Sequence, residues 1–317
     1  MRQRELAVLM NGLGKLTRSQ RQMVVAELAS GEHKLASVEI IEGNVAGTPD
    51  CPHCAAERVV KNGSADGLQR YKCRGCHKTF NALTGTPLAR LRMKGKWLEQ
   101  AGALRDGLSL TQITERMGIS RHTAFRWRHR FLALPKTVKA QALVGIAETD
   151  ETFFLRSNKG QRQGLGRKPR KRGGKASKRG LSKEQVPVLV ARDRSGSTAD
   201  FILEVDDKTH VAAALKPILL KDTILCTDGS RTLAAAAREM GVTHRPVNLS
   251  AGIRVIAGVY HVQNVNAYDS RLKDWMRRFK GVSTRYLDSY LGWFRAIDRA
   301  HGGSLKPAAL LALAVRV

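Results

Sequence analysis

Four cysteines in the first third of the chain have the spacing of a zinc site. Two Cys-x-x-Cys pairs, separated by eighteen residues, consist of Cys51, Cys54, Cys73 and Cys76. Each pair brings two thiolates onto one turn, so four thiolates can complete a tetrahedron around Zn²⁺. Four protein ligands leave no open coordination position, which predicts a structural site. His53 and His77 lie next to the cysteines and are alternative ligands.

Acidic residues are scarce in the second half of the chain, and two of them stand where strands are predicted to end. Asp150 ends the first of these strands and Asp228 ends another. Carboxylates at the ends of adjacent strands can share divalent cations. Two such ions activate a water and stabilise the leaving oxygen in phosphoryl transfer. An acidic residue at a strand end is also common in ordinary turns, so the two residues need support from their surroundings.

A predicted helix over residues 260–276 presents further polar residues on one face. Asn266 and Lys273 are seven positions apart, so their directions around the helix differ by roughly 20°. One helix can therefore offer a metal or water ligand together with a cation for phosphate. Asp269 is an alternative in the first role, but we expect it to be an exposed residue near Arg271 and Lys273.

Residues 108–131 have the pattern of a helix-turn-helix, with a turn at Gly118 and a second helix after Ser120. The residues predicted to pack the helices together are Ile113, Met117, Ile119, Ala124 and Trp127. The side chains left for base edges or phosphates in a major groove are Arg121, His122, Arg126, Arg128 and Arg130. A helical hairpin with a solvated basic face is the alternative.

The composition of the 317-residue chain favours a polyanionic partner. It contains 55 Lys and Arg against 27 Asp and Glu, a formal net charge of +28, which attracts nucleic acid. The longest uninterrupted apolar run, residues 307–315, is about half as long as a membrane-spanning helix, so no membrane partner is expected. No secretory signal is visible, and the five cysteines are typical of reduced thiols or metal ligands.

Periodicity and composition divide the chain into segments. We predict an N-terminal segment of two short helices at 1–45, a zinc ribbon at 46–85 and a helix-turn-helix domain at 90–135. Within residues 142–300, the predicted strands and helices follow the order β-β-β-α-β-α-β-α, which indicates a layered α/β domain. Residues 301–317 are left as a C-terminal tail.

A basic insertion separates the first two strands of the α/β domain. Residues 156–183 contain twelve Lys or Arg and no Asp or Glu. We expect a loop that is disordered or ordered by DNA and that contacts phosphates without reading sequence. Its candidate DNA-binding residues are Lys168, Arg170, Lys171 and Arg172. A solvated insertion is the alternative.

The order of these motifs resembles a known family. A zinc ribbon, a helix-turn-helix, Asp150 in TDET, Asp228 in TDG, and Asn266 and Lys273 following His261 are together similar to bacterial insertion-sequence transposases of the ISXO type. These belong to the retroviral-integrase-like DDE superfamily. The resemblance implies an RNase H-like domain that binds Mg²⁺ or Mn²⁺ through Asp150, Asp228 and Asn266, with Lys273 contacting DNA. The typical member has Glu at the position of Asn266. His261 either approaches the metal or caps the helix.

The resemblance also implies an activity. The N-terminal half would recognise terminal inverted repeats, and the C-terminal half would hydrolyse a phosphodiester at each element end and join the 3′-hydroxyl to target DNA. Because two ends must be joined, we expect at least a dimer on double-stranded DNA, in the cytoplasm at the nucleoid. A transcription regulator with the same DNA-binding parts, and an inactivated transposase kept for binding, are the alternatives. DNA cleavage with Mg²⁺ discriminates between them.

Overall fold

The chain forms two compact units in the computed structural model. One comprises Met1–Leu134 with Leu305–Val317, and the other Pro135–Ser304. The structure describes residues 3–45, 47, 49–161, 163, 174, 176–177, 182–248, 251–300 and 305–316. Within these ranges no helix is long and apolar enough to span a membrane.

Two helices begin the first unit, α1 (Gln3–Leu13) and α2 (Arg18–Gly43). Thr17 caps α2 because its hydroxyl accepts the backbone N–H of Gln20, while the Gln20 side chain accepts the backbone N–H of Thr17. The prediction of two short helices is wrong for α2, which has 26 residues. No proline follows the capping box within α2, and a glycine inside a helix weakens it without ending it.

The cysteine-rich segment forms a small antiparallel sheet. Its strands are β1 (Val59–Ala65), β2 (Leu68–Cys73) and β3 (Thr79–Asn81), in the order β1-β2-β3. Tyr71 and Phe80 stack with ring centroids 5.5 Å apart and form a minimal core with Cys51 and Cys73. These two aromatic residues therefore pack inside the ribbon, whereas Arg74 and Lys78 are exposed on it.

Three helices follow the sheet, α3 (Trp97–Arg105), α4 (Leu110–Met117) and α5 (Arg121–Phe131). Ser109 and Ser120 cap α4 and α5, and Gly118 takes a positive φ of 59° in the turn between them. The five residues predicted to pack the helix-turn-helix are all buried. A last helix, α10 (Pro307–Ala314), packs against α2 and α3, so part of the predicted tail belongs to this unit.

The second unit is a five-stranded mixed sheet with helices. Its elements along the described residues are β4 (Ile146–Leu155), β5 (Gln185–Asp193), β6 (Thr198–Ile202), α6 (Lys208–Leu215), β7 (Ile224–Thr227), α7 (Arg231–Met240), β8 (Thr243–Pro246), α8 (Gln263–Arg277) and α9 (Leu287–Arg299). The sheet order is β6-β5-β4-β7-β8, with β4, β5 and β6 antiparallel and β4, β7 and β8 parallel. This is the sheet of an RNase H-like domain, and the predicted fold class is confirmed.

The two sides of β4 face different surroundings. Ala147 belongs to the apolar core that includes residues of α6 and α7, whereas Glu148 bonds to the start of α8. Side chains alternate along a strand, so Asp150 lies on the same side as Glu148. The sheet thus places Asp150 on the side covered by α8, which packs against β4 and β5.

Candidate functional site

Asp150 and Asp228 lie side by side because two parallel strands are in register. β4 and β7 pair Ile146 with Ile224 and Glu148 with Cys226. Continued by two residues, this register sets Asp228, the residue after β7, beside Asp150. Asp150, Glu151 and Asp228 each contribute a carboxylate oxygen to a group in which all these atoms lie within 4.8 Å of one another. Such a group can hold a divalent cation.

The electrostatics of the cluster favour binding of a cation. Burial, and then the charge of Asp228, raise the pKa of Asp150 to about 6, although Lys273 opposes the shift. Burial, and then Asp206, Asp150 and Asp228, raise the pKa of Glu151 to about 8. The metal-free site therefore holds crowded, poorly solvated carboxylates whose repulsion a bound cation would relieve.

Glu151 was not among the residues predicted for the site. It stands next to Asp150 in the TDET sequence, and neighbours on a strand point to opposite sides. The carboxylate oxygen of Glu151 nevertheless comes within 4.8 Å of those of Asp150 and Asp228. Alternation along a strand fixes the direction of Cβ, whereas the charged end of a longer side chain can depart from it.

A buried carboxylate attaches α8 to the strand that carries Asp150. Glu148 is fully buried, and its Oε2 accepts the backbone N–H groups of Asn264 at 2.8 Å and Val265 at 2.9 Å. Its Oε1 accepts Nδ2 of Asn264 at 2.9 Å. These bonds satisfy free N–H groups of the first helical turn, where the helix dipole also favours a negative charge. Glu148 therefore fixes α8 two residues away from Asp150.

A guanidinium and an imidazole accompany Glu148. Nη1 of Arg194 lies 2.6 Å from its Oε1, and Nδ1 of His261 lies 3.4 Å from the same oxygen. Nδ1 of His261 also accepts the backbone N–H of Gln263, the first residue of α8, at 3.2 Å. Of the two predicted roles for His261, capping of the helix is the one that these contacts support.

The face of α8 that packs against β4 contains an unexpected acid. Asp269 is only 5% exposed, and its Oδ1 accepts no hydrogen bond within the described part of the chain. Burial, and then Asp150, raise its pKa to about 8, against the influence of Lys273. The expectation that Asp269 is exposed is wrong. Counted from the buried Val265, Asp269 is at i+4 and the buried Leu272 at i+7, so all three lie on the same buried face of α8. Asn266 is half-buried and Lys273 exposed on the same helix.

The helix α5 offers fewer DNA contacts than predicted. Arg121, His122, Arg126 and Arg130 are exposed. Arg128 is only 2% exposed, and its Nη2 donates to the carbonyl oxygen of Leu108 at 2.7 Å. The prediction of a DNA contact is wrong for Arg128, because its guanidinium holds the loop before α4. The predicted residues Lys168, Arg170, Lys171 and Arg172 lie outside the described residues.

The four cysteines meet as the spacing predicted. The Sγ atoms of Cys51 and Cys76 are 3.6 Å apart, as are those of Cys54 and Cys73. Zn–S bonds of about 2.3 Å in a tetrahedron require about 3.8 Å between sulfurs. Hydrogen bonds from the backbone N–H of Cys76, and then of Gly75, lower the pKa of Cys73 to about 6. The cluster fits a structural zinc site, and neither His53 nor His77 belongs to it.

The raised carboxyl pKa values predict how the stability of the protein depends on pH. Asp150, Glu151 and Asp269 bind protons more tightly in the folded than in the unfolded chain, so metal-free stability should fall as pH rises from about 4 through 8. A divalent cation at ten times its Kd should restore about 1.4 kcal/mol, or roughly 3–6 °C in Tm.

Thermal unfolding with and without Mg²⁺ at pH 5.5 and pH 8 measures this effect. The gain in Tm should be larger at pH 8, because fewer protons then compete for the carboxylates. Asp228→Asn should reduce the gain, while Asp274→Asn, which removes an exposed carboxylate of α8, should not. An equal gain at both pH values would contradict the prediction.

The second unit thus combines an RNase H-like sheet, carboxylates side by side on two parallel strands, and a covering helix. Residues 142–295 match the model of the ISXO2-like transposase domain, and residues 90–134 match that of a homeodomain-like domain. The second unit therefore carries an ISXO2-like transposase domain, as the sequence resemblance indicated.

Two further likenesses concern longer stretches of the chain. It is 27% identical over 249 residues to an uncharacterized protein in transposable element ISH50 of Halobacterium salinarum, covering 77% of this chain and 83% of that one. It also matches a simian T-cell lymphotropic virus intasome in complex with PP2A regulatory subunit B56 gamma, with 12% identity over 61% of this chain and 66% of the other. The TM-score of 0.27 for that pair is too low to support an argument.

Proposed function

We propose that this chain is a transposase that cuts DNA at the ends of an insertion sequence and joins those ends to target DNA. The observation that carries the proposal is the register of β4 and β7, which brings Asp150 and Asp228 together within a transposase-family domain. Two divalent cations, Mg²⁺ or Mn²⁺, would activate a water and stabilise the leaving oxygen when bound there.

In this proposal each side chain has a distinct role. Asp150 and Asp228 supply anionic oxygen ligands, and Asn266 supplies a neutral carbonyl oxygen as the third. Lys273 is exposed on α8 and acts on Asp150 electrostatically, so its ammonium group is suited to hold a DNA phosphate beside the carboxylates. Lys273 thereby positions the DNA end.

The reaction consists of two in-line substitutions at phosphorus. Water attacks the phosphodiester at the element end, the bond from phosphorus to the 3′-oxygen breaks, and the element keeps a 3′-hydroxyl. That hydroxyl then attacks a target phosphodiester and displaces a 3′-oxygen of the target strand. Neither step requires a covalent bond to the protein.

Other parts of the chain bind and recognise the DNA. The exposed Arg121, His122 and Arg126 at the start of α5 are placed for the major groove of the terminal inverted repeats. The basic insertion 156–183 adds phosphate contacts without sequence preference. Zn²⁺ would hold the ribbon folded, and the protein acts at the nucleoid.

The proposal is tested with labelled double-stranded DNA that contains the inverted repeats flanking the coding region. With Mg²⁺ or Mn²⁺ the full chain should release 3′-hydroxyl ends and form joined products. Specific binding without cleavage under both metals would overturn the proposal in favour of a regulator or an inactivated transposase.

The same assay decides the third position of the site. Asn266→Ala should slow cleavage by roughly 10- to 100-fold, because a neutral ligand of the cation is lost. Asn266→Glu should cleave at the wild-type rate or faster, because it adds the negative charge that is typical of the superfamily at this position. Lys273→Ala should impair positioning of the DNA end without loss of cation binding.

Asp269 provides the competing assignment, since its buried carboxylate interacts with that of Asp150. Asp269→Asn keeps the shape of the side chain and removes its charge, and Asp274→Asn is the matched control on the exposed side of α8. Full activity of Asn266→Ala together with loss of activity in Asp269→Asn would transfer the third position to Asp269.

A further inference from the structure

The first two helices hold a concentration of exposed apolar side chains. Of the sixteen large hydrophobic residues that are exposed in the described parts of the chain, half lie in residues 3–43. They are Leu6, Val8, Leu9, Met10, Met23, Val25, Leu28 and Leu35, with exposures between 43% and 73%. Single exposed apolar residues are normal, whereas a concentration of them marks an interaction surface.

On α1 all of these residues except Val8 belong to the apolar face of an amphipathic helix. Leu6, Leu9, Met10 and Leu13 follow the i, i+3, i+4, i+7 spacing of one face. No residue of α1 is buried. Because an isolated helix of this length is marginal in water, the face needs a partner to stabilise it.

On α2, Leu28 and Leu35 lie apart from the face that packs into the first unit. Leu28 and Leu35 are seven residues apart and therefore point in nearly the same direction. Ile41 is fully buried, and it lies about 120–140° around the helix from them. The first half of α2 also borders a groove whose apolar wall includes Leu16, Val25 and Ala29. One side of α2 thus anchors it while another side faces solvent.

The charge of these helices differs from that of the chain as a whole. Residues 3–43 contain five Lys or Arg and five Glu, so their net charge is zero in a chain of +28. They are poorly suited to bind DNA, and two copies can approach each other there without strong repulsion. Along α2, Arg18 and Arg21 at the start precede Glu27, Glu32 and Glu39. Two antiparallel α2 helices would place opposite charges together.

We propose that the exposed faces of α1 and α2 form a dimerisation surface whose partner is a second copy of this chain, with the two α2 helices antiparallel. A 26-residue helix is about 39 Å long, which suits the roughly 800 Å² per partner of a stable interface. The surface is independent of the proposed reaction. Only its consequence, that two element ends are held in one complex, rests on the proposed function.

The test is the oligomeric state of the full chain by sedimentation velocity, in salt that screens the repulsion between basic copies. The chain should be a dimer. The double variant Leu9→Asp, Leu28→Asp should associate at least about 100-fold more weakly, because charges replace apolar contacts at its centre. The matched control Val144→Asp, Leu220→Asp alters equally exposed residues of the α/β unit and should remain a dimer.

A second pair of variants tests the antiparallel arrangement. Arg18→Glu should weaken the dimer, because it sets like charges against each other at Glu39 of the second copy. Glu39→Arg added to the same chain should restore the dimer, because it recreates the opposite-charge pair. Failure of this rescue overturns the antiparallel order. A monomeric wild-type chain, or a double apolar variant that stays dimeric, overturns the surface itself.

Activity measured in parallel separates this inference from the proposed function. The Leu9→Asp, Leu28→Asp variant should still cleave single element ends but lose complexes that contain two ends. Asp150→Asn should stay dimeric and lose cleavage. A dimer without any cleavage by the wild-type chain would leave the surface intact and contradict the transposase alone.

Discussion

Asp150→Asn and Asp228→Asn are each expected to abolish cleavage and joining of DNA, by roughly 1,000-fold or more, while binding to element ends survives. Each substitution removes one anionic oxygen ligand from a cluster whose carboxylates lie within 4.8 Å of one another. The helix-turn-helix belongs to the other compact unit, so its affinity for DNA should not change. Cleavage of labelled ends and a mobility-shift titration measure the two properties.

Controls for this prediction come from the same unit. Asp274→Asn removes an exposed carboxylate that pairs with Arg277 on α8, and it should leave the rate within about twofold. Glu151→Gln distinguishes a ligand from a neighbour, because loss of activity would extend the cation site to the third carboxylate. Substantial cleavage by either Asp150→Asn or Asp228→Asn would contradict a site built on these two residues.

Loss of the zinc site is expected to unfold the ribbon and weaken binding to element ends. The ribbon's described core consists of the buried Cys51, Tyr71, Cys73 and Phe80 with three partly buried residues packed against them, and it is too small to fold unaided. In small zinc domains the metal contributes about 10–16 kcal/mol of apparent binding energy to folding. Purified protein should contain one zinc per chain, and Cys73→Ser should lose it together with binding to the ends.

The fifth cysteine provides the control for the zinc experiment. Cys226 is buried in β7, outside the four-cysteine group, so Cys226→Ser should retain one zinc per chain. Metal analysis that finds no zinc in protein still able to bind the ends would contradict the prediction. Binding to the ends that survives removal of the metal with a chelator would also contradict the prediction.

Much of the architecture could be predicted from the sequence because its signals are local. Ser109, Gly118 and Ser120 mark helix ends through capping and positive φ, which involve only neighbouring residues. The order of strands and helices in the α/β domain was also predicted correctly, because it too rests on patterns among neighbouring residues. Asp150 and Asp228 could be expected together as acids at the ends of adjacent predicted strands. The expectation is wrong in one respect, because β4 continues to Leu155 and Asp150 lies in its middle, where the register with β7 brings it beside Asp228.

The residues that sequence reasoning missed or misjudged are buried charges. Glu148 accepts bonds from residues 116 and 117 positions later, and Arg128 donates to a carbonyl 20 positions earlier. Charged residues are rarely buried, so the default expectation places them in solvent. For Asp269, the helical spacing from buried residues indicated burial. The general expectation that charged residues are exposed led to the wrong prediction.

The two ends of the basic insertion lie together, where β4 meets β5. Leu155 at the end of β4 is paired with Gln185 at the start of β5, and the backbone N–H of Arg156 donates to the carbonyl of Glu184 at 2.7 Å. The residues of β4 that pair with β7 are 146–148, which lie outside the loop, so the length of the loop does not affect this pairing. Insertions and deletions there cost little closure entropy. A change in the length of this loop should therefore leave Asp150 and Asp228 side by side.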